Sequence, residues 1–134
     1  MKEFVVPVSM DWDNAQRTVI RVKFDGVWEI KDIHLLINKG ISMMESVDHD
    51  VDTIYDFTRS RFSPKHILTT VDYMENTHNI HERLMIMVNA SVYIRSLTKV
   101  AAVMAPKTFA NVHFVNCLEG AYALIAQVTE KALA

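Results

Sequence analysis

"RLMIMVN", residues 83–89, is apolar at every position from Leu84 to Val88, with no polar alternation. A short run of that kind reads as a strand covered on both faces, the condition of a strand inside a parallel sheet flanked by helices. Upstream, "VDTIYDF" (51–57) is a second short apolar strand. Between the two lies "SPKHILTTVDYMEN" (63–76), a helix with Ser63 as N-cap and Pro64 at its first position. Strand, helix and doubly buried strand make a parallel crossover unit.

The same alternation extends in both directions. Asn89 and Ser91 are candidate caps for a helix over 90–104 that ends before Pro106. "NVHFVN" (111–116) is the last strand, and residues 118–134 form the last helix, with Leu118, Ala121, Leu124, Ile125 and Val128 facing inward. Toward the start, Ile33, Leu36, Ile37, Ile41, Met44 and Val47 recur at helical spacing through 28–47, the longest helix. "RTVIRVKFDG" (17–26) sets Val19, Ile20, Val22 and Phe24 against Arg21 and Lys23, a strand with one wet face. "EFVVPV" (3–8) is β-branched and aromatic, with Pro7 confining it to an edge, and it pairs as an antiparallel hairpin across "MDWDNAQ" (10–16). The order β-β-α-β-α-β-α-β-α predicts an α/β domain with a mostly parallel, mixed five-stranded sheet and four helices.

Composition sets the outer limits. A chain of 134 residues, half of them hydrophobic and 22% charged, with three Gly and three Pro, fits one compact domain over 1–134. The formal charge of -2 provides no global field for nucleic acid or an anionic membrane, so any anion site is local. Cys117 is alone, which excludes an internal disulfide and a multi-cysteine zinc site, and it reads as a buried small residue in a reducing compartment. No stretch approaches the roughly 18 apolar residues of a membrane span, and acids at 3, 11 and 13 argue against a signal peptide. The expectation is a cytoplasmic protein.

In open α/β sheets ligands gather outside the carboxyl ends of the strands, near helix N-termini. Two loops qualify: "TRSRFSPK" (58–65) and "NAS" (89–91). Asp56, Arg59, Arg61, Ser63 and Lys65 form the candidate anion or phospho-site, since Arg59, Arg61 and Lys65 surround a helix start where a phosphate on Ser63 would also be held. The plainer alternative is a capped helix start beside solvated arginines. Asp56 sits where a receiver-type phosphoacceptor would, but "NCLEG" supplies no Lys after the last strand. His78 and His81 lack a third ligand, and "VDHDVD" (47–52) lacks the Gly and terminal Glu of a calcium loop, so no metal site is expected. Glycine-rich phosphate loops and the G-x-S-x-G elbow are missing, leaving no nucleotide cofactor and no catalytic constellation. Eight methionines serve mainly as core filling, with Met43, Met44 and Met74 joining Trp28 as candidate lining of an apolar pocket.

The element order, with "VDTIYDFT", "RLMIMVN" and the closing "NVHFVNCLEGAYALI", resembles the STAS superfamily, the anti-sigma-factor-antagonist-like or SpoIIAA-like domains. Leu118-Glu119-Gly120-Ala121 stands where such domains begin their last helix with acidic residues. In the antagonists the regulatory serine lies in a D-S-S-G setting; Ser63 takes the comparable place, in the setting Phe62-Ser63-Pro64. Trp28 is similar in position to a Trp at the first helix of small uncharacterised bacterial STAS-like proteins. The resemblance implies a noncatalytic regulatory domain acting through a protein partner, as a homodimer, with 59–65 as the responsive surface. The alternative from another class is a small-molecule or lipid carrier, with the apolar pocket and an anion held at 59–65. An enzyme centred on Asp56 ranks third.

Overall fold

The computed structural model describes residues 7–62, 67–78 and 81–133. Five strands lie in the order β1-β2-β3-β4-β5: Val8–Trp12, Val19–Val27, Val51–Phe62, Glu82–Val88 and Val112–Val115. β1 runs antiparallel to β2, and every other neighbouring pair is parallel. The helices are α1 (Ile30–Glu45), α2 (Val71–Asn76, preceded by a 3-10 turn at Ile67–Thr70), α3 (Val92–Met104) and α4 (Leu118–Leu133). This is the α/β order read from the sequence.

Strand order that rises steadily with sequence sends crossovers of one hand to one face of the sheet. Accordingly Ile33 and Leu36 of α1, Val71 of α2 and Ile94 and Ala101 of α3 share a core with Ile20, Val22, Val51 and Met85. No strand follows α4, and Ala121 packs on the opposite face with Val19, Ile54, Leu84 and Ile86. β4 therefore lies between two cores, which is why Leu84 to Val88 are all buried.

Two boundaries differ from the expectation. β1 occupies Val8–Trp12, sharing Val8 with the expected strand and running through Met10–Trp12 of the stretch read as the hairpin loop, while residues 3–6 of the expected strand lie outside the described residues. Val8, Met10 and Trp12 alternate with Ser9 and Asp11 and place Met10 in the core, a period-2 burial pattern. The turn that follows is closed by Asp13 N–H donating to Val19 O (2.8 Å), with Arg17 in the left-handed region at φ 57°.

β3 continues through Phe62, so "TRSR" is strand where a loop was expected. Its far half pairs with the end of β2, Asp25 with Arg59 and Gly26 with Ser60, across register shifts. Gly26, at φ +70°, provides the backbone geometry there. Helical structure resumes at Ile67, and the expected cap at Ser63 and Pro64 lies outside the described residues. Cys117 is a further correction: it is exposed in the turn before α4, where a buried residue was expected.

Candidate functional site

Steadily rising strand order has a functional consequence. A carboxyl-end crevice opens where strand order reverses, and the parallel strands β2 to β5 never reverse. At the carboxyl end of β4, beside the middle of β3, polar side chains instead satisfy one another. Asp56 accepts hydrogen bonds from Thr58 N–H (3.0 Å) and Thr58 Oγ1 (2.5 Å) and lies 3.6 Å from Arg21 Nη2. Asn89, in the left-handed region at φ 55°, donates its Nδ2 to Thr58 Oγ1 at 2.9 Å. Ser91 caps α3, accepting from Ile94 N–H at 3.2 Å. Arg59 pairs with Asp25 (3.3 Å) and is 79% exposed, and Arg61 is exposed. Ser63 and Lys65 lie outside the described residues.

A partly open pocket lies elsewhere, between the sheet and the layer formed by α1, α2 and α3. Among the described residues, the cover over mid-sheet between β3 and β4 comprises one 3-10 turn and the six-residue α2, both shorter than α1 and α3. The cavity beneath has a volume of about 170 Å³. Of the residues anticipated from sequence, Trp28, Met44 and Met74 line it; Met43 packs against the core without lining it.

One end of the cavity is aromatic. Phe24 stacks on Phe57 with ring centroids 4.4 Å apart and meets Trp28 at 4.8 Å. The Trp28 indole N–H donates to Ser60 Oγ at 2.9 Å, so the ring is fixed at both its apolar body and its polar tip.

The other end is polar, at the start of β3 and β4, where Thr53, Tyr55, His78 and Glu82 reach the cavity. A bulge sets this up. Val51 pairs with Glu82 and Thr53 with Met85, so β4 spends one residue more than β3 between the two pairings. Arg83 and Leu84 both fall on the α4 side, where Arg83 bonds Asp52 and Thr129 and Leu84 joins the second core. Glu82 is left facing the cavity. Burial pushes its carboxyl up to about 7, and burial followed by the Glu82 charge pushes the Tyr55 phenol well above its ordinary range.

Thr53 Oγ1, His78 Nδ1 and Glu82 Oε1 are buried without a hydrogen-bond partner. His78 Nδ1 stands 3.7 Å from Glu82 Oε2, beyond hydrogen-bond reach. Chemically the arrangement can hold and orient a small molecule, and Glu82 can give or take a proton near neutrality. Sequence reading did not single out Thr53, Tyr55 or Glu82, and weighed His78 only as a metal ligand lacking a third partner. The available signal was Thr53-x-Tyr55-x-Phe57, polar groups on the buried face of an apolar strand. Among the described residues no group of three or more His, Cys, Asp or Glu can hold a metal, and no helix is long and apolar enough to cross a membrane.

No protein-family model matches the chain, and no curated protein matches it. Among solved structures it is similar to an uncharacterised protein from Shewanella loihica PV-4, described as belonging to the DUF3478 family with a SpoIIAA-like fold. The TM-score is 0.65 at 13% sequence identity, over 92% of this chain and 98% of that one. The chain has the SpoIIAA-like fold, as the resemblance in the sequence implied.

Proposed function

We propose that this domain binds a small, largely apolar molecule in the cavity between the sheet and α1 to α3. One observation carries the reading: an apolar cavity of ligand size that contains buried polar atoms without partners, at Thr53, His78 and Glu82. Native proteins pair such atoms almost without exception, and each one left unpaired costs about 1–3 kcal/mol. An apolar space with a few convergent polar groups is the ordinary form of a small-molecule site. The reading keeps the carrier alternative and moves its polar anchor from residues 59–65 to the opposite end of the strands.

The test uses toluene as a neutral probe and the methyl resonances of the cavity-lining Met44, Met74, Met85 and Met87 as reporters. Saturable shifts at these methyls, lost in Ala101→Leu, which fills the space, support the site. Unmoved methyls at saturating toluene overturn it.

Partner binding is a second reading, supported by a separate observation. Val92 and Val103 on α3 are 78% and 83% exposed, with Val100 about half exposed, an apolar stripe on the side of the helix away from the core. Such a stripe suits a regulatory partner or a second copy of the chain. Light scattering of the wild type and of Val103→Glu measures whether that face self-associates; a monomer in both sinks the homodimer.

A further inference from the structure

The polar end of the cavity has a chemical sign. Glu82 contributes a carboxyl group, and among the described residues that line the cavity there is no Lys or Arg. A carboxylate or phosphate head would face Glu82 with no Lys or Arg among those described residues to offset it. A head that donates hydrogen bonds finds an acceptor in Glu82 Oε1 and a second partner in the Thr53 hydroxyl, both buried and unpaired; Thr53 is 1% exposed. His78 Nδ1, also unpaired, borders the same end.

Size narrows the ligand further. About 170 Å³ holds one aromatic ring with a short substituent, by comparison with an engineered apolar cavity of roughly 150 Å³ that takes up benzene. The apolar walls and the Phe24, Trp28 and Phe57 cluster suit such a ring at the far end.

We propose that the cavity is selective for a compact apolar molecule with a hydrogen-bond-donating head, an alcohol or a primary amine, seated with its head on Glu82 and Thr53. The proposal rests on the reading of the cavity as a ligand site and adds the polarity of its ligand. It differs from the small-molecule or lipid carrier with an anion held at 59–65 that the sequence suggested.

Four molecules that share one ring and differ in the head test it: toluene, benzyl alcohol, benzylamine and benzoate, titrated into the whole chain at pH 8 with the methionine methyls as reporters. Benzyl alcohol or benzylamine is expected to bind at least about tenfold more tightly than benzoate. Benzylamine ahead of the alcohol identifies a charged donor, and the reverse a neutral one. In Glu82→Leu the affinity of the preferred donor falls about tenfold while that of toluene stays within about twofold. Benzoate binding as tightly as both donors overturns the proposal, as does a Glu82→Leu variant that weakens toluene and the donor equally. Binding of toluene in either of those cases leaves the cavity reading intact, whereas failure of all four molecules to move any cavity methyl overturns both.

Discussion

Asp52 and Arg83, on neighbouring strands, meet in a two-pronged ion pair: Arg83 Nε donates to Asp52 Oδ1 at 2.9 Å and Nη2 to Oδ2 at 2.7 Å. Asp52 Oδ1 also accepts from Leu84 N–H at 3.1 Å, and Arg83 Nη2 reaches Thr129 of α4 at 3.0 Å. The pair pins the β4 bulge, holding Arg83 and Leu84 to the α4 side and so presenting Glu82 to the cavity. Asp52 is a positioning residue for the candidate site, although it lies on the other face of the sheet.

Asp52 is 2% exposed, and its removal leaves a guanidinium and a backbone N–H without their acceptor. Asp52→Ala is expected to destabilise the fold by on the order of 3 kcal/mol, read from urea denaturation. A loss below about 0.5 kcal/mol would show that solvent replaces the carboxylate and that the pair does not hold the bulge.

Glu82 predicts a pH dependence with a definite sign. Its folded-state pKa of about 7 lies above the ordinary 4.5, so between these values the folded chain binds more protons than the unfolded one. The associated stability is fully present below about pH 4.5, falls as pH rises to about 7, and is flat above. The span is on the order of 3 kcal/mol. Tyr55 and His78 are the titratable groups facing Glu82 across the cavity end. Urea denaturation of Glu82→Gln should remove this decline and leave the variant more stable than wild type at pH 8; parallel pH profiles for the two proteins would place the Glu82 carboxyl in water.

Trp28 is buried and joins α1 to β2 and to Ser60 on β3. Trp28→Ala is expected to cost about 4 kcal/mol, and Ser60→Ala, which strands the indole N–H, about 1 kcal/mol. Thermal or urea unfolding measures both. Equal losses in the two variants would contradict the packing role of the ring.

Arg59 and Arg61 are exposed on the extended end of β3. Alanine at either position should change stability by no more than about 0.5 kcal/mol, since an exposed ion pair such as Arg59 with Asp25 contributes little. Toluene titration of the double variant should match wild type, and a clear loss of affinity would return the ligand site to residues 59–65.

Ser91 supplies the side-chain cap of α3, accepting from Ile94 N–H. Ser91→Ala should cost about 1 kcal/mol in denaturant unfolding, and Ser91→Asp should restore most of it. No loss in the alanine variant would mean that water serves the helix end equally well.

Local pattern was enough for the architecture. Leu84 to Val88 without alternation, Ile33 to Met44 at helical spacing and the regular exchange of strands and helices specify a parallel α/β sheet, because burial on one or two faces writes its period directly into the chain. The same pattern supplied Trp28, Met44 and Met74 as apolar lining and Ser91 as a cap. It misplaced β1, where the alternation of Val8, Met10 and Trp12 is short and flanked by a more apolar run, and it ended β3 too early, because Thr58 to Arg61 look like a polar loop until β2 is beside them.

Tertiary structure decided where the cavity and its polar end lie. Thr53, Tyr55, His78 and Glu82 come from two strands and the turn after α2, and nothing in their spacing brings them together. Their meeting depends on strand order and on a one-residue bulge held by Asp52 and Arg83. Each of these is a relation between segments distant in sequence, and a single segment's hydrophobic period carries no information about it.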